Sequence, residues 1–130
     1  MIVVDTSVLV AILLDEPGAA LFNAVLSLQS DVRLSAMTDY ETRILAFSRG
    51  AQPLVSRYEA FCDDGGFSIE AFGRQESILA FDAYRRFGKG NHPARLNFGD
   101  CAVYALAKSL DAPLLFKGND FARTDIRRAL

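Results

Sequence analysis

The sequence predicts an α/β domain in which helices cover a small, mainly parallel sheet. Short β-branched or apolar runs at residues 2–4, 32–36 and 114–116 have the length and composition of buried strands. Segments with helical apolar spacing separate these runs, and strands joined through helices pair in parallel. The chain has 130 residues, 51% hydrophobic and 23% charged, so residues 1–130 are expected to form one domain.

Local signals place the individual elements. Ser7, Thr38 and Asn97 have the side chains of helix caps, Gly50 is a helix stop, and Pro53 suits the first turn of another helix. Helices are therefore expected from residue 8 to near 17, through 21–26, from 38 to near 50, through 53–61, over 75–87 and from 97 through 110. Further short strands are expected at 67–69 and, as a last edge strand, around 125–126, and residues 88–96 are expected to form a loop.

Two of the predicted helices have a marked apolar side. On the third helix it consists of Tyr40, Ile44, Leu45 and Phe47, and on the fifth it includes Ile78, Leu79, Phe81 and Tyr84. An apolar stripe on a helix normally faces the core. We therefore expect most apolar residues between positions 21 and 61 to be buried.

Cysteine and histidine usage limits the chemistry. Cys62 and Cys101 lie in predicted helices without the spacing of metal ligands, so both are expected to be reduced, half-buried thiols. The single histidine, His92, excludes a zinc site of the usual His/Cys kind. The first residues lack a basic segment and a cleavage site of the kind found in signal peptides. A cytoplasmic protein is the expectation.

The charges are unevenly distributed. The net charge of −2 and the pI of about 5.3 argue weakly against a nucleic-acid partner, because phosphate binding favours a basic surface. However, basic residues are concentrated in two stretches, one with Arg85, Arg86, Lys89, His92 and Arg95, the other with Lys117, Arg123, Arg127 and Arg128. An acidic site inside a locally basic rim would give the same total charge.

Four acidic residues occur where one edge of a parallel sheet would gather them. Asp5 directly follows the first strand, and Asp120 follows the strand at 114–116 by a few residues. Glu41 and Asp100 each lie in the first turn of a predicted helix. Sites in such folds form at the carboxyl ends of the strands. Carboxylates this close repel each other unless a cation lies among them, and oxygen ligands favour Mg²⁺ or Mn²⁺, which can activate water against a phosphodiester.

Each of these acids also has a purely structural explanation. Thr38-Asp39-Tyr40-Glu41 has the capping-box pattern, and Asn97-Phe98-Gly99-Asp100 resembles a helix cap with an acid at the third position. Asp120 fits a turn and Asp5 fits a strand end. The hypothesis of a metal site therefore depends on the joint placement of the four acids.

Three stretches of the chain resemble the PIN domain of the VapC toxin family. Residues 1–11 (Met-Ile-Val-Val-Asp-Thr-Ser-Val-Leu-Val-Ala) resemble its opening, residues 96–107 its central acidic helix, and residues 114–121 with 124–126 its closing strand and loop. The stretches occur in the family's order and bracket nearly the whole chain. The resemblance implies a three-layer α/β/α fold and hydrolysis of structured RNA, such as transfer or ribosomal RNA, by metal-activated water.

The resemblance also assigns residues. Asp5, Glu41, Asp100 and Asp120 match the four catalytic acids in order, and Asp5 and Asp100 are the expected ligands of Mg²⁺ or Mn²⁺. The match of Glu41 rests on spacing more than on a local motif, and Asn119 leaves the fourth position open between two neighbouring residues. Supporting roles near the metal, the phosphate or the helix start are expected for Thr6, Ser7 and Asn97.

The partners implied are an RNA substrate and a VapB-like antitoxin. Basic residues of the predicted 88–96 loop and its approach are the candidates for tracking an RNA backbone, namely Arg85, Arg86, Lys89 and Arg95. The antitoxin's tail is expected in a groove beside the acids, lined by helices between residues 21 and 61, where it can place an arginine among them. A homodimer or a toxin–antitoxin hetero-oligomer is expected.

The sequence does not match the acidic patterns of two other classes of phosphoryl-transfer protein. Haloacid-dehalogenase-type phosphatases also begin with an aspartate after the first strand, but they carry a second aspartate where this chain has Ser7. A response-regulator receiver needs an acidic pair before its first helix, which is absent here. The remaining alternative is a PIN-like domain that binds a partner without catalysis, and the four intact acids argue against it.

Overall fold

The computed structural model describes residues 1–130 and contains five helices and four strands. In chain order these are β1 (Ile2–Val4), α1 (Thr6–Leu13), α2 (Ala19–Ser27), β2 (Val32–Ser35), α3 (Ala36–Gly65), β3 (Ser68–Glu70), α4 (Arg74–Phe87), α5 (Phe98–Ser109) and β4 (Leu114–Leu115). The order of elements agrees with the sequence prediction, and the third and fourth predicted helices are the two halves of α3. None of the helices combines the length and the apolar character needed to cross a bilayer.

The four strands form one sheet with the order β3-β2-β1-β4, and every neighbouring pair is parallel. β1 lies inside the sheet, where Val3 is aligned with Arg33 of β2 and with Leu114 of β4. Because all the strands run in one direction, their carboxyl ends meet at the same edge. Asp5, the start of α3 and the loop after β4 all follow strands at that edge.

The side chains of β1 alternate between two cores. Ile2 and Val4 belong to a cluster of 15 buried residues built with α1, α2 and α3, whereas Val3 belongs to a cluster of 14 that includes residues of α4 and α5. Successive side chains of a strand point to opposite faces of the sheet. Helices therefore cover both faces, and the expected three-layer α/β/α fold is confirmed.

α3 reverses its direction at Gly50 and Ala51. Both residues depart from helical geometry, and Ala51 has a φ of 55°. The two halves then lie side by side, since the Tyr58 hydroxyl in the second half donates a hydrogen bond of 2.8 Å to Asp39 in the first. The break lies where Gly50 and Pro53 predicted the end of one helix and the start of the next.

The predicted edge strand at residues 125–126 is misplaced by a few residues. The Leu114 N–H donates to the carbonyl oxygen of Arg127 at 2.9 Å, so the pairing with β4 comes after the predicted segment. The Asp125 carboxylate accepts a hydrogen bond of 2.6 Å from the Tyr104 hydroxyl. This contact holds the predicted segment against α5, and the chain reaches the sheet only beyond it.

The expectation that most apolar residues between positions 21 and 61 are buried is wrong for one side of α3, and the apolar side of α4 is exposed as well. Four apolar residues of α3 are exposed and form what we call the α3 surface: Tyr40, Ile44, Leu45 and Phe47. The buried side of the same half carries the smaller Thr38, Thr42 and Ala46. On α4, only Ala83 is buried, and Ile78, Leu79, Phe81 and Tyr84 form an exposed α4 surface. Small side chains allow these helices to pack closely, which leaves the large ones outside.

Both cysteines are free, as predicted from their context. Cys101 is buried, and Cys62 is partly buried in the second half of α3. Burial raises the pKa of each thiol to about 11. Neither thiol is therefore ionised to a useful degree at neutral pH, which fits a structural role.

Candidate active site

Asp5 follows β1 and caps α1. Its Oδ2 accepts a hydrogen bond of 3.0 Å from the Ser7 N–H, so the prediction that Ser7 caps this helix is wrong. Asp5 has the extended backbone and the side-chain acceptor that an N-cap requires. The carboxylate is 7% exposed. Burial raises the pKa of Asp5, hydrogen bonds from Ser7 oppose that rise, and the charge of Glu41 adds to it.

Ser7 instead fastens the loop that follows β4. Its Oγ accepts a hydrogen bond of 2.9 Å from the Lys117 N–H, and the Lys117 ammonium donates to Glu16 at 2.9 Å. The same loop carries Asn119 and Asp120. Ser7 therefore fixes the position of the loop with the fourth acid, rather than the start of the helix.

The predicted capping box between Thr38 and Glu41 does not form. Ser35 caps α3 by accepting a hydrogen bond of 3.1 Å from the Met37 N–H, so the helix begins before Thr38. Glu41 then lies beyond the first turn, and its Oε1 accepts a hydrogen bond of 2.6 Å from the Thr6 hydroxyl. The structural explanation of Glu41 is thereby removed, and its carboxylate faces the start of α1, beside Asp5.

The second predicted cap is confirmed. The Asn97 side chain accepts a hydrogen bond of 2.8 Å from the Asp100 N–H, and Asp100 Oδ2 accepts one of 3.0 Å from the Asn97 N–H. Asn97 therefore holds the start of α5, as expected. The reciprocal pair fixes the rotamer of Asp100 but occupies only one of its oxygens with the backbone. Capping and a place in the acidic cluster are compatible for this residue.

The Asp100 carboxylate lies within range of the charges of the other three predicted acids. Burial raises the pKa of Asp100 to about 7, the hydrogen bond from Asn97 opposes this, and the charges of Asp5, Asp120 and Glu41 raise it further. Such repulsion arises only between carboxylates that lie close together. The structure therefore brings together residues from β1's end, α3, α5 and the loop after β4.

A polar cleft of about 470 Å³ opens beside Asp100, and we call it the acid cleft. Its lining combines acidic and amide side chains with cationic ones: Asn97, Asp100, Asn119, Asp120, Lys89, Pro93, Ala94, Arg95 and Arg123. Asn119 and Asp120 are both exposed, and both line the cleft. Lys89 and Arg95 come from the predicted basic loop, so this loop lies near Asp100 and Asp120.

Arg123 also lines the cleft, although no sequence feature marked it as a site residue. It belonged to the basic C-terminal stretch, but only the path of the chain after β4 brings it to the cleft. Arg95 has a φ of 57°, a left-handed conformation that is uncommon for a residue with a side chain. The loop thus accepts backbone strain at a cationic residue that lines the cleft.

Arg85 and Arg86 are not among the residues that line the acid cleft. Arg85 pairs with Asp82 at 2.9 Å, and Arg86 pairs with Asp125 at 3.4 Å. Both lie in the last turn of α4, where positive charge also stabilises the helix dipole. A contact between these two arginines and RNA stays a prediction, for a part of the substrate outside the cleft.

The donor set of the site suits a hard cation. All candidate ligands are carboxylate oxygens, which favour Mg²⁺ or Mn²⁺ over zinc. No three His, Cys, Asp or Glu side chains converge closely enough to enclose one ion. Magnesium usually keeps several waters and takes one or two protein carboxylates. Asp5 and Asp100 are the two buried acids of the group, and the charge of Asp5 acts on Asp100.

Comparisons with known proteins identify the family. Residues 2–127 match the PIN domain. Ribonuclease VapC28 of Mycobacterium tuberculosis is 43% identical over 130 residues, which cover 98% of this chain and 97% of the relative. A VapC ribonuclease of Mycolicibacterium smegmatis is 42% identical over 125 residues, covering 95% and 96%. The chain therefore belongs to the PIN-domain family, and within it to the VapC ribonucleases, the toxins of toxin–antitoxin systems.

Solved structures show the same fold. Mycobacterium tuberculosis VapC20, described as a toxin that cleaves the sarcin–ricin loop, superposes with a TM-score of 0.80 at 18% identity, covering 97% of this chain and 96% of that one. A toxin–antitoxin complex from Klebsiella pneumoniae gives a TM-score of 0.74 at 16% identity, covering 96% and 93%. At these identities the likeness concerns the fold, and it agrees with the three-layer arrangement.

Proposed function

We propose that this ribonuclease hydrolyses RNA in the acid cleft with Mg²⁺ or Mn²⁺ as its cofactor. One observation carries the proposal: two buried acids, Asp5 and Asp100, lie within charge–charge range of each other and of Glu41, and Asp100 also lies within range of Asp120. Buried, mutually repelling carboxylates destabilise a fold unless a cation or a proton compensates them. Their retention at the carboxyl edge is best explained by a function that needs them.

The proposed roles follow from the contacts of each residue. Asp5 and Asp100 would hold the ion, which when bound supplies the positive charge that activates water and neutralises a phosphodiester. Glu41 has one oxygen fixed by Thr6, and its Oε2 accepts no hydrogen bond from the protein, so it is available to take a proton from the attacking water. Asp120 lies on the exposed side of the cleft.

The cationic rim supports an RNA substrate in spite of the acidic pI. Lys89, Arg95 and Arg123 line the same cleft as Asp100 and Asp120 and would position phosphates on either side of the scissile bond. We propose structured RNA, such as transfer or ribosomal RNA, as the substrate class. The description of VapC20 as a toxin that cleaves the sarcin–ricin loop supports a ribosomal target. Such targets place the activity in the cytoplasm.

The two exposed apolar surfaces suit protein partners. An antitoxin partner follows from the family, and we propose that it covers the α3 surface. Beside that surface, a small groove is lined entirely by apolar residues of α1, its C-terminal cap and α3: Val10, Leu13, Leu14, Leu45, Ala46 and Leu54. The prediction that helices within 21–61 bind the antitoxin is consistent with this exposure. We propose the α4 surface as the contact of a homodimer, since contiguous apolar patches of this kind mark interfaces.

The proposal is tested with purified protein freed of antitoxin. Total bacterial RNA, isolated transfer RNA and isolated ribosomal RNA are incubated with Mg²⁺, with Mn²⁺ and with EDTA, and the new ends are mapped and chemically typed. Hydrolysis by water leaves no 2′,3′-cyclic phosphate, whereas attack by the ribose 2′-hydroxyl does. Discrete fragments without cyclic phosphate, absent in EDTA, are expected. Metal-independent cleavage or cyclic phosphate ends would refute the mechanism, and a folded protein without any cleavage would favour a binding domain.

A further inference from the structure

Gly99 is the second residue of α5, yet its backbone does not need a glycine. It is absent from the residues with positive φ, so any L-residue could adopt its conformation. Alanine is a better helix former than glycine at such a position. The choice of glycine therefore requires another reason, and the surroundings of its α-carbon supply one.

The Glu41 carboxylate occupies the space beside the Gly99 α-carbon. A Cβ atom at position 99 would lie 3.0 Å from Glu41 Oε2, 3.1 Å from Oε1 and 3.3 Å from Cδ. These distances are shorter than ordinary van der Waals contact. The obstacle is the end of a side chain, so the fold could absorb an added methyl group by moving the carboxylate.

Glu41 is held from the opposite side as well. The Thr6 hydroxyl donates its hydrogen bond of 2.6 Å to Oε1, so a shift of the carboxylate would stretch a short contact to a charged acceptor. The first turn of α5 also favours negative charge nearby, because its N–H groups lack intrahelical acceptors. Glu41 is thus confined between α1 and the start of α5.

We infer that Gly99 is a positioning residue of the active site: it lacks a side chain so that the Glu41 carboxylate can lie against the first turn of α5, held there by Thr6. This inference rests on the proposed function for its effect on catalysis. Its structural part, the contact itself, does not. A methyl group at position 99 displaces Glu41 by a few tenths of an ångström while the helix and the fold persist.

The variant is Gly99→Ala, and its matched control is Gly73→Ala. Gly73 also stands at the start of a helix, and a Cβ there would lie 3.3 Å from a carboxylate oxygen, that of Glu76, which is remote from the acids. Under single turnover, Gly99→Ala should lower the maximal cleavage rate by at least about tenfold. The concentration that gives half of that rate should change by less than about twofold. Mn²⁺ affinity is measured in parallel by calorimetry without RNA. The control should keep the parental rate.

A thermal-stability cycle tests the contact independently of catalysis. Gly99→Ala should raise the Tm by several degrees more in a Glu41→Ala background than in the parent, because the obstructing carboxylate is gone. Additive Tm changes, a parental cleavage rate in Gly99→Ala, or an equal loss in the control would each overturn the inference. A parent that cleaves no RNA would refute the proposed function, while the stability cycle would still decide the contact.

Discussion

Neutralising Asp100 should stabilise the metal-free protein while abolishing cleavage. The Asp100 carboxylate is 8% exposed and is repelled by the charges of Asp5, Glu41 and Asp120. Asp100→Asn removes one charge from this group. An asparagine oxygen can still accept the hydrogen bond from the Asn97 N–H, so the start of α5 is retained.

The size and pH dependence of the effect follow from the pKa of Asp100, raised from 3.8 to about 7. Stability supplied by the protonated form is complete below the unfolded-state pKa and is lost as the pH rises through about 7. The full shift of about 3 pKa units corresponds to at most about 4 kcal/mol. Asp100→Asn should therefore raise the Tm above pH 7 by several degrees, and the gain should vanish towards pH 4.

The assay is thermal unfolding in EDTA between pH 4 and pH 8, followed by circular dichroism. Asp125→Asn serves as the control with the opposite sign: burial alone would raise the pKa of Asp125, but hydrogen bonds from Tyr104 and Lys108 lower it. Neutralising Asp125 should therefore lower the Tm near neutral pH. If Asp100→Asn has a lower Tm than the parent in EDTA at pH 8, repulsion between the carboxylates does not destabilise the metal-free protein.

Three further predictions concern other parts of the molecule. Ser7→Ala should lower the free energy of unfolding by about 1 kcal/mol and slow cleavage, in melting and single-turnover assays, because the loop after β4 loses its anchor; unchanged cleavage would contradict this. Lys89→Ala and Arg95→Ala should raise KM and reduce the log–log slope of its salt dependence by about one each, whereas the exposed Arg57→Ala should change neither. Phe47→Asp on the α3 surface should weaken antitoxin binding by at least about tenfold in calorimetry while leaving cleavage intact; tight binding would place the antitoxin elsewhere.

Much of the fold and site could be predicted because the relevant signals are local. The strand at residues 2–4 ends at Asp5, and a parallel sheet then fixes the edge at which this acid lies. The pairing of Asn97 with Asp100 depends on neighbours in sequence, so the cap was correct in detail. For this strand and this cap, the local physical rules needed no tertiary information.

The errors arose where distant contacts decide between local options. Thr38 and Ser35 both have hydroxyl side chains that can cap a helix. Because α3 begins directly after β2, Ser35 is the cap, and Glu41 accepts a hydrogen bond from Thr6 instead of joining a capping box. The role of Gly99 depends on the Glu41 side chain from another helix, so the sequence around Gly99 does not reveal it.

Exposed apolar surfaces were the other class of error. Periodicity shows that a helix has an apolar side, but it does not show whether that side meets the core or a partner. In α3 the core takes the side with Thr42 and Ala46, and the side with Ile44 and Phe47 is left exposed. The distinction depends on how closely α3 packs on its neighbours, which the sequence alone does not reveal.

Asp5 and its neighbouring acids are proposed to form a metal-dependent ribonuclease site. The most direct measurement is the single-turnover rate of cleavage of one defined RNA by the parent and by Asp5→Asn, in Mg²⁺ and in EDTA, with both proteins shown to be folded. We expect cleavage by the parent in Mg²⁺ and none in EDTA, and a rate at least about a hundredfold lower in the variant. Equal rates for the two proteins, or full activity of the parent in EDTA, would contradict it.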